Sequence, residues 1–252
     1  MTIPSQPSVP RFDKPQRFAY PSPSATRGMP RAAQSMPNKL NLPASIRMRM
    51  TPEFERFLDQ SHRRIYPPKS VIINAGDVSN DLYYILRGSV SVVIEDENGR
   101  EIVLAYLNEG DFFGEIAMFD EDRRRSAWVR ARTRCEVAQI SYDKLKEVFQ
   151  GSCEVLFRIA SQLALRLRNT SRKVGDLAFL DVSGRVARAL LDLCRQPDAM
   201  THPDGMQVRV TRQELGRIAG CSREMVGRVL KDLEERNLIW VKGKTMVVYG
   251  TR

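Results

Sequence analysis

Histidine and cysteine are scarce in this 252-residue chain: two histidines, and four cysteines at positions 135, 153, 194 and 221. Neither type clusters. With no CxxC and no His/Cys ligand spacing, no metal centre is expected, and scattered free thiols suit a reducing cytoplasm. A Ser/His/Asp set and a Walker loop are missing too, which argues against an enzyme. No apolar run of about 18 residues and no signal-peptide pattern occur, so a soluble cytoplasmic protein without a membrane partner is expected. Proline is sparse after residue 48, because nine of the 14 prolines precede it.

What is present is unevenly charged. The net charge is +10. Residues 1–50 carry eight Lys/Arg against one Asp, residues 181–252 carry 13 against 9, and the middle, 51–180, has 19 against 20. Basic ends around a near-neutral body favour a polyanionic partner such as nucleic acid. Residues 1–48, rich in Pro, Ser, Gln and Arg, lack the apolar pattern of a core and read as a disordered tail. It is either inert, a nonspecific DNA-grazing arm, or a product of translation that in fact starts at Met48 or Met50.

The rest is organised around residues 152–180, read as one long helix. Leu156, Ala160, Leu163, Leu167, Thr170, Val174 and Leu177 follow alternating steps of four and three. That is the 3.5-residue period of a coiled-coil seam, and it favours a parallel pair with a second copy over packing on the chain's own core. Thr170 and Ser171 put hydroxyls on this seam, where they need partners: a bound polar ligand or the neighbouring helix.

Before the helix, from a short helix near Glu53 to Ser61 onward, short β-branched and aromatic runs are broken by Gly76, Gly88, Gly99, Gly110 and Gly114. This is the pattern of an antiparallel barrel or roll. Asn98 and Gly99 are expected to form a type I′ hairpin turn. Gly114 lets backbone approach a ligand, Glu115 follows it, and ten residues on Arg125 and Ser126 offer a cationic fork and a hydroxyl. Such a set suits a phosphate diester with a nearby ribose. Taken alone, the triplet Arg123, Arg124 and Arg125 reads as a solvated loop, the usual outcome for basic runs.

The C-terminal region is sharper. Thr211-x-x-Glu214 reads as a capping box, with Leu215, Ile218 and Ala219 inward. Gly220 and Cys221 make a turn, and Ser222 caps a second helix with Val226, Leu230 and Leu233 inward. Its outer face carries Arg223, Glu224, Gly227, Arg228 and Lys231. That is a helix-turn-helix whose second helix presents arginines suited to guanine edges and a glutamate suited to cytosine N4. A following hairpin, with Lys242, Gly243 and Lys244 at its tip, makes it winged. Arg212, Ser222, Lys231, Lys242 and Lys244 join Arg223, Glu224 and Arg228 as candidate DNA contacts.

The segments "FFGEIAMF", "RRSAWVRA", "CEVAQISY", "TSRKVGDLAFLDV" and "TRQELGRIAGCSREMVGRVL" resemble the cyclic-AMP receptor protein (catabolite activator) family, nearest its virulence-factor-regulator branch. The likeness spans roughly residues 53–252. It implies an α+β architecture: a cyclic-nucleotide-binding β-roll at 49–150, a dimerisation helix at 151–180 and a winged helix-turn-helix at 181–252. It further implies a homodimer that binds palindromic double-stranded DNA, contacts RNA polymerase and uses cyclic AMP, without a metal, as allosteric ligand. In that likeness Gly114 and Glu115 meet the ribose, Arg125 and Ser126 grip the phosphate, and Thr170, with Ser171 from the second copy, contacts adenine. Thr201 and His202 fall in a loop matching a polymerase-contacting surface. His62 and Lys144 match parts of a second surface, where Arg64 and Gln139 depart from the family pattern. An iron–sulfur relative would need clustered N-terminal cysteines. A branch resembling a cyclic-di-GMP responder lacks the Arg–Ser pair, so Arg125, Ser126 and Thr170 favour cyclic AMP. The alternatives are another ligand, cyclic GMP or cyclic-di-GMP, or an adaptor that does not bind DNA.

Overall fold

The computed structural model describes residues 51–149 and 153–251; the segment 1–48, expected to be a tail, lies outside them. Thr51 opens the first helix, α1 (Pro52–Asp59), its hydroxyl accepting from the Phe54 amide, with proline at the first helical position. There the missing N–H costs nothing. Phe54 and Phe57 are buried against Tyr84 and Phe112.

Eight strands follow: β1 (His62–Tyr66), β2 (Val71–Ile73), β3 (Asp81–Arg87), β4 (Val90–Glu95), β5 (Glu101–Leu107), β6 (Phe112–Phe113), β7 (Trp128–Ala131) and β8 (Cys135–Ser141). They pair antiparallel into two four-stranded sheets, β1-β8-β3-β6 and β2-β7-β4-β5, which form the expected roll. β3 explains how the roll meets the helices. Tyr83 and Ile85 point between the sheets with Val90, Leu107, Phe113 and Val129, while Leu82 and Tyr84 point to the other side. There they meet Leu145 of α2 (Tyr142–Phe149) and Val155 and Ile159 of the long helix α3 (Glu154–Phe179).

The β4–β5 turn corrects the type I′ expectation. The Gly99 amide donates to the Asp96 carbonyl, and Gly99 has φ 73°, but Asn98 is not at positive φ. A type I′ turn needs both central residues there. Instead the Asp96 carboxylate accepts from the amides of Asn98 and Arg100 and fixes a wider loop.

At 26 residues α3 is about 39 Å long. It carries two faces. Val155, Ile159, Gln162, Arg166 and Lys173 turn toward the roll. Of the seam residues, Leu163 is half-buried against the roll core, whereas Leu156, Leu167, Val174 and Leu177 are exposed, with Leu167 at 70%. The helix ends where Leu180 turns extended and Asp181 caps α4 (Val182–Leu193).

Beyond α4 lie β9 (Met200–His202), β10 (Gly205–Arg209), α5 (Arg212–Ala219), α6 (Arg223–Glu235), β11 (Ile239–Lys242) and β12 (Thr245–Tyr249). The strands form one antiparallel sheet, β11-β12-β10-β9, and close with the helices on Val186, Leu190, Leu215, Val226, Leu230 and Met246. Thr201 and His202, expected in a loop, instead stand on β9, paired with Met206 and Gly205. All four cysteines are free; Cys135 and Cys194 are buried, and Cys153 is exposed.

Candidate ligand pocket and nucleic-acid interface

The arginine triplet divides. Arg123 and Arg124 are exposed and bond locally, to the Asn80 side chain and the Gly76 carbonyl. Arg125 is 5% exposed. Its amide and carbonyl tie to the 76–77 turn, which rotates the side chain inward. Inside, Nη1 donates to the Gly114 carbonyl at 2.7 Å and the Tyr142 hydroxyl at 3.1 Å. Nη2 donates to Ser79 Oγ at 2.5 Å and the Asp81 carbonyl at 2.6 Å. Nε has no hydrogen-bond partner. Among the described residues no carboxylate forms an ion pair with this guanidinium; every partner is a carbonyl or a hydroxyl. A buried cation without a counter-ion is costly, and it fits a site whose compensating charge comes from a ligand. Ser126, next along the chain, is exposed.

Gly114 (φ 85°) faces the same guanidinium: a β-carbon there would lie 2.6 Å from Arg125 Nη1. Both the backbone angle and the space demand glycine. Glu115, 3% exposed, is neutralised by Arg166 Nη1 at 2.7 Å. Arg166 also donates to the Phe112 carbonyl, and Gln162 one turn earlier takes the Phe112 amide and donates to the Gly110 carbonyl. Thus α3 holds the loop from Gly110 to Glu115 by two side chains. Sequence reasoning missed both. The available signal was their spacing from Thr170: 162, 166 and 170 stand four apart, one row of the helix. Thr170 and Ser171 are exposed, and Thr170 sits one turn beyond Arg166, where the roll-facing row meets the seam. The phenol of Tyr142 is raised above the usual tyrosine range by burial, against the opposing pull of Arg125.

In the C-terminal region, caps set the geometry. The Thr211 hydroxyl accepts from the Glu214 amide and the Ser222 hydroxyl from the Met225 amide. Gly220 makes the left-handed turn between α5 and α6 at φ 66°, ψ 47°. Val226, Val229, Leu230 and Leu233 face the core, which leaves Arg223, Glu224, Arg228 and Lys231 exposed on one outer surface. Arg212 reaches beside Gly227, with Nη1 3.9 Å from where a β-carbon would be. Lys242 and Lys244 flank Gly243 (φ 63°) at the wing tip, both exposed. Glu224 is held below the usual carboxylate range by a backbone amide and the Ser222 hydroxyl, with Arg223 and Arg228 adding to it. The capping box is only half as expected: the Glu214 carboxylate accepts from Tyr106 of β5, a residue 108 positions away.

Residues 63–152 match the cyclic nucleotide-binding domain family, and residues 184–249 match the Crp-like helix-turn-helix domain family. The chain is 63% identical over 201 residues to the cAMP-activated global transcriptional regulator Vfr of Pseudomonas aeruginosa, covering 79% of this chain and 94% of that one. It is 59% identical to the cAMP-activated global transcriptional regulator CRP of Salmonella typhimurium, over 80% of this chain and 96% of that protein. The chain belongs to the cyclic-AMP receptor protein family. A solved structure, the c-di-GMP responsive global regulator CLP of Xanthomonas campestris, superposes with a TM-score of 0.75 at 48% identity, over 79% of this chain and 99% of that one. As a member of the cyclic-AMP receptor protein family the chain is grouped with transcription regulators and not with enzymes. Within the family, likeness of fold alone does not separate a cAMP-activated protein from a c-di-GMP responsive one; the residues of the pocket have to.

Proposed function

We propose that this chain is a homodimeric transcription regulator that binds cyclic AMP in the roll, binds palindromic DNA through the winged helix-turn-helix and contacts RNA polymerase. The observation that carries the ligand assignment is Arg125, a buried guanidinium without a carboxylate partner, seated against a glycine whose missing side chain lets it lie on the backbone. One negative charge, with a sugar hydroxyl for Glu115, fits that arrangement. A phosphate displaces the carbonyls of Gly114 and Asp81 from the Arg125 fork, and Ser126 adds a hydroxyl from the rim. Glu115, already oriented by Arg166, accepts from the ribose. Thr170, with Ser171 of the second copy, receives the base where the exposed seam of α3 pairs. Ligand and helix pairing then share one surface, so occupancy shifts the population toward the DNA-binding arrangement. The working parts are 49–150 for ligand, 151–180 for dimerisation and 181–252 for DNA, with Arg223, Glu224 and Arg228 reading bases, and Arg212, Ser222, Lys231, Lys242 and Lys244 on the backbone. Half-sites lie one helical turn apart, about 34 Å, as is general for dimeric helix-turn-helix proteins. Thr201 and His202, which the resemblance matches to a polymerase-contacting surface, are the candidates for that contact.

Calorimetric titration with cyclic AMP, cyclic GMP and cyclic-di-GMP, followed by gel shift on a palindromic duplex, tests this. Tight binding of cyclic AMP and a ligand-dependent shift are expected. Heat from cyclic-di-GMP alone overturns the ligand assignment, and ligand binding without any DNA shift points to the adaptor.

A further inference from the structure

The strand β5 meets the C-terminal region at its start and near its end, and α3 between them. At its start, Glu101 is held between Arg130 of β7 and Arg217 of α5, with Arg217 Nη2 2.9 Å from Oε2. That second contact is an ion pair off the hydrogen-bond axis, since Oε2 has no aligned donor. In the middle, the Val103 carbonyl accepts from Lys173 of α3. Near its end, the Tyr106 hydroxyl donates to Glu214 of α5 at 2.8 Å, and its ring packs on the C-terminal core. The Arg132 guanidinium lies 3.8 Å above that ring and donates to Asp198, in the connection before β9. Just past the strand, Asn108 donates to Gln196 at 3.2 Å. Burial, then Glu214, pushes the Tyr106 phenol above the usual tyrosine range.

This strand is also the direct lead-in to the pocket. The 108–111 turn, closed by the Asp111 amide on the Asn108 carbonyl and by Asp111 Oδ2 on the Asn108 amide, joins it to Phe112, Phe113, Gly114 and Glu115. One 15-residue stretch, 101–115, therefore carries the α5 contacts at one end and the ligand-facing carboxylate at the other. While α5 rests on it, Arg223, Glu224 and Arg228 of α6 stay exposed. Neither Tyr106 nor Arg217 lies among the residues assigned to ligand or DNA.

We infer that β5 is the lever between the two sites: Tyr106 and Glu101 hold α5, through Glu214 and Arg217, in the pose in which α6 meets DNA, and the ligand acts on that pose through the 101–115 stretch. Tyr106, Glu101, Glu214 and Arg217 are positioning residues. A contiguous, packed chain of contacts is the physical means by which such coupling travels, and only a coupling measurement establishes it. The inference rests on the proposed function, so its test must separate the two.

Full-length protein and the variants Tyr106→Phe and Arg217→Gln are titrated onto a palindromic duplex with and without saturating cyclic AMP, saturation being verified by calorimetry. Tyr106→Phe removes one hydroxyl and no charge. Each variant is expected to lose about five- to tenfold of DNA affinity in the presence of ligand, the scale of one hydrogen bond, with a much smaller loss in its absence. The salt slope of Tyr106→Phe should match that of the unsubstituted protein. An unchanged ratio of ligand-bound to ligand-free DNA affinity in both variants, whatever the loss common to both conditions, overturns the lever and marks the contacts as merely structural. If the unsubstituted protein shows no ligand response, the functional reading itself fails, and the lever with it.

Discussion

Replacing Arg125 by leucine tests the pocket most directly. Arg125 is 5% exposed and its guanidinium donates four hydrogen bonds, to Gly114, Tyr142, Ser79 and Asp81. Gripping a phosphate exchanges neutral acceptors for charged ones. A charge-assisted hydrogen bond is worth about 1.5–3 kcal/mol, so a two-pronged grip contributes about 3–6 kcal/mol, or about 10²–10⁴ in Kd. Arg123 supplies the control within the same run. It is exposed, bonds Asn80 and contributes at most about 1 kcal/mol as a rim charge, so Arg123→Leu should cost less than about fivefold. Calorimetric titration of both variants with cyclic AMP gives the comparison. A thermal melt accompanies it, because Arg125→Leu also removes the donor to the Asp81 carbonyl and leaves the Gly114 carbonyl with the Tyr142 hydroxyl alone. Equal losses in the two variants, or a folded Arg125→Leu protein within tenfold of the original, would refute the argument from the buried, uncompensated cation.

Four further outcomes follow from named contacts. Arg223→Ala is expected to cost about 1–3 kcal/mol on the cognate duplex and to relax choice at one base pair, whereas Lys244→Ala should weaken all sequences alike and flatten the salt slope; competition with point-substituted duplexes and a salt series tell them apart. Leu167→Asp places a charge on a seam residue that is 70% exposed in one copy, and sedimentation should show a monomer if that seam is where copies meet. Thr170→Ala should alter the ratio of DNA affinities with and without ligand more than ligand affinity itself, as read by paired titrations. Burial raises the phenols of Tyr83 and Tyr84 to about 12. A group whose folded pKa is raised contributes stability that is fully present below about pH 10 and is lost as pH climbs toward 12. Denaturant midpoints should therefore fall across that window, less so in Tyr84→Phe, and absorbance at 295 nm should show the two rings ionising late.

Where a structural outcome depends on neighbours along the chain, the sequence alone was enough. Ser222, Thr211 and Gly220 announce the two helices of the helix-turn-helix because a cap bonds an amide three residues on and a left-handed turn needs only its own backbone. The alternating four- and three-residue steps of α3 likewise predict an apolar face not covered by the chain's own core. Even local signals mislead when a side chain intervenes: Asn98 and Gly99 carry the type I′ signature, but the Asp96 carboxylate claims the turn amides. Nothing local separates Arg125 from Arg123. What does so is the pairing of its backbone with the 76–77 turn, which points one arginine inward and leaves the other in solvent. The same holds for the ties of Arg166 to Glu115 and of Tyr106 to Glu214, 51 and 108 residues apart. Those residues are ordinary in sequence. They become a pocket and a lever only when the long helix lies along the roll and α5 lies on β5, because burial and ion pairing are properties of what the folded chain brings near, not of spacing along it.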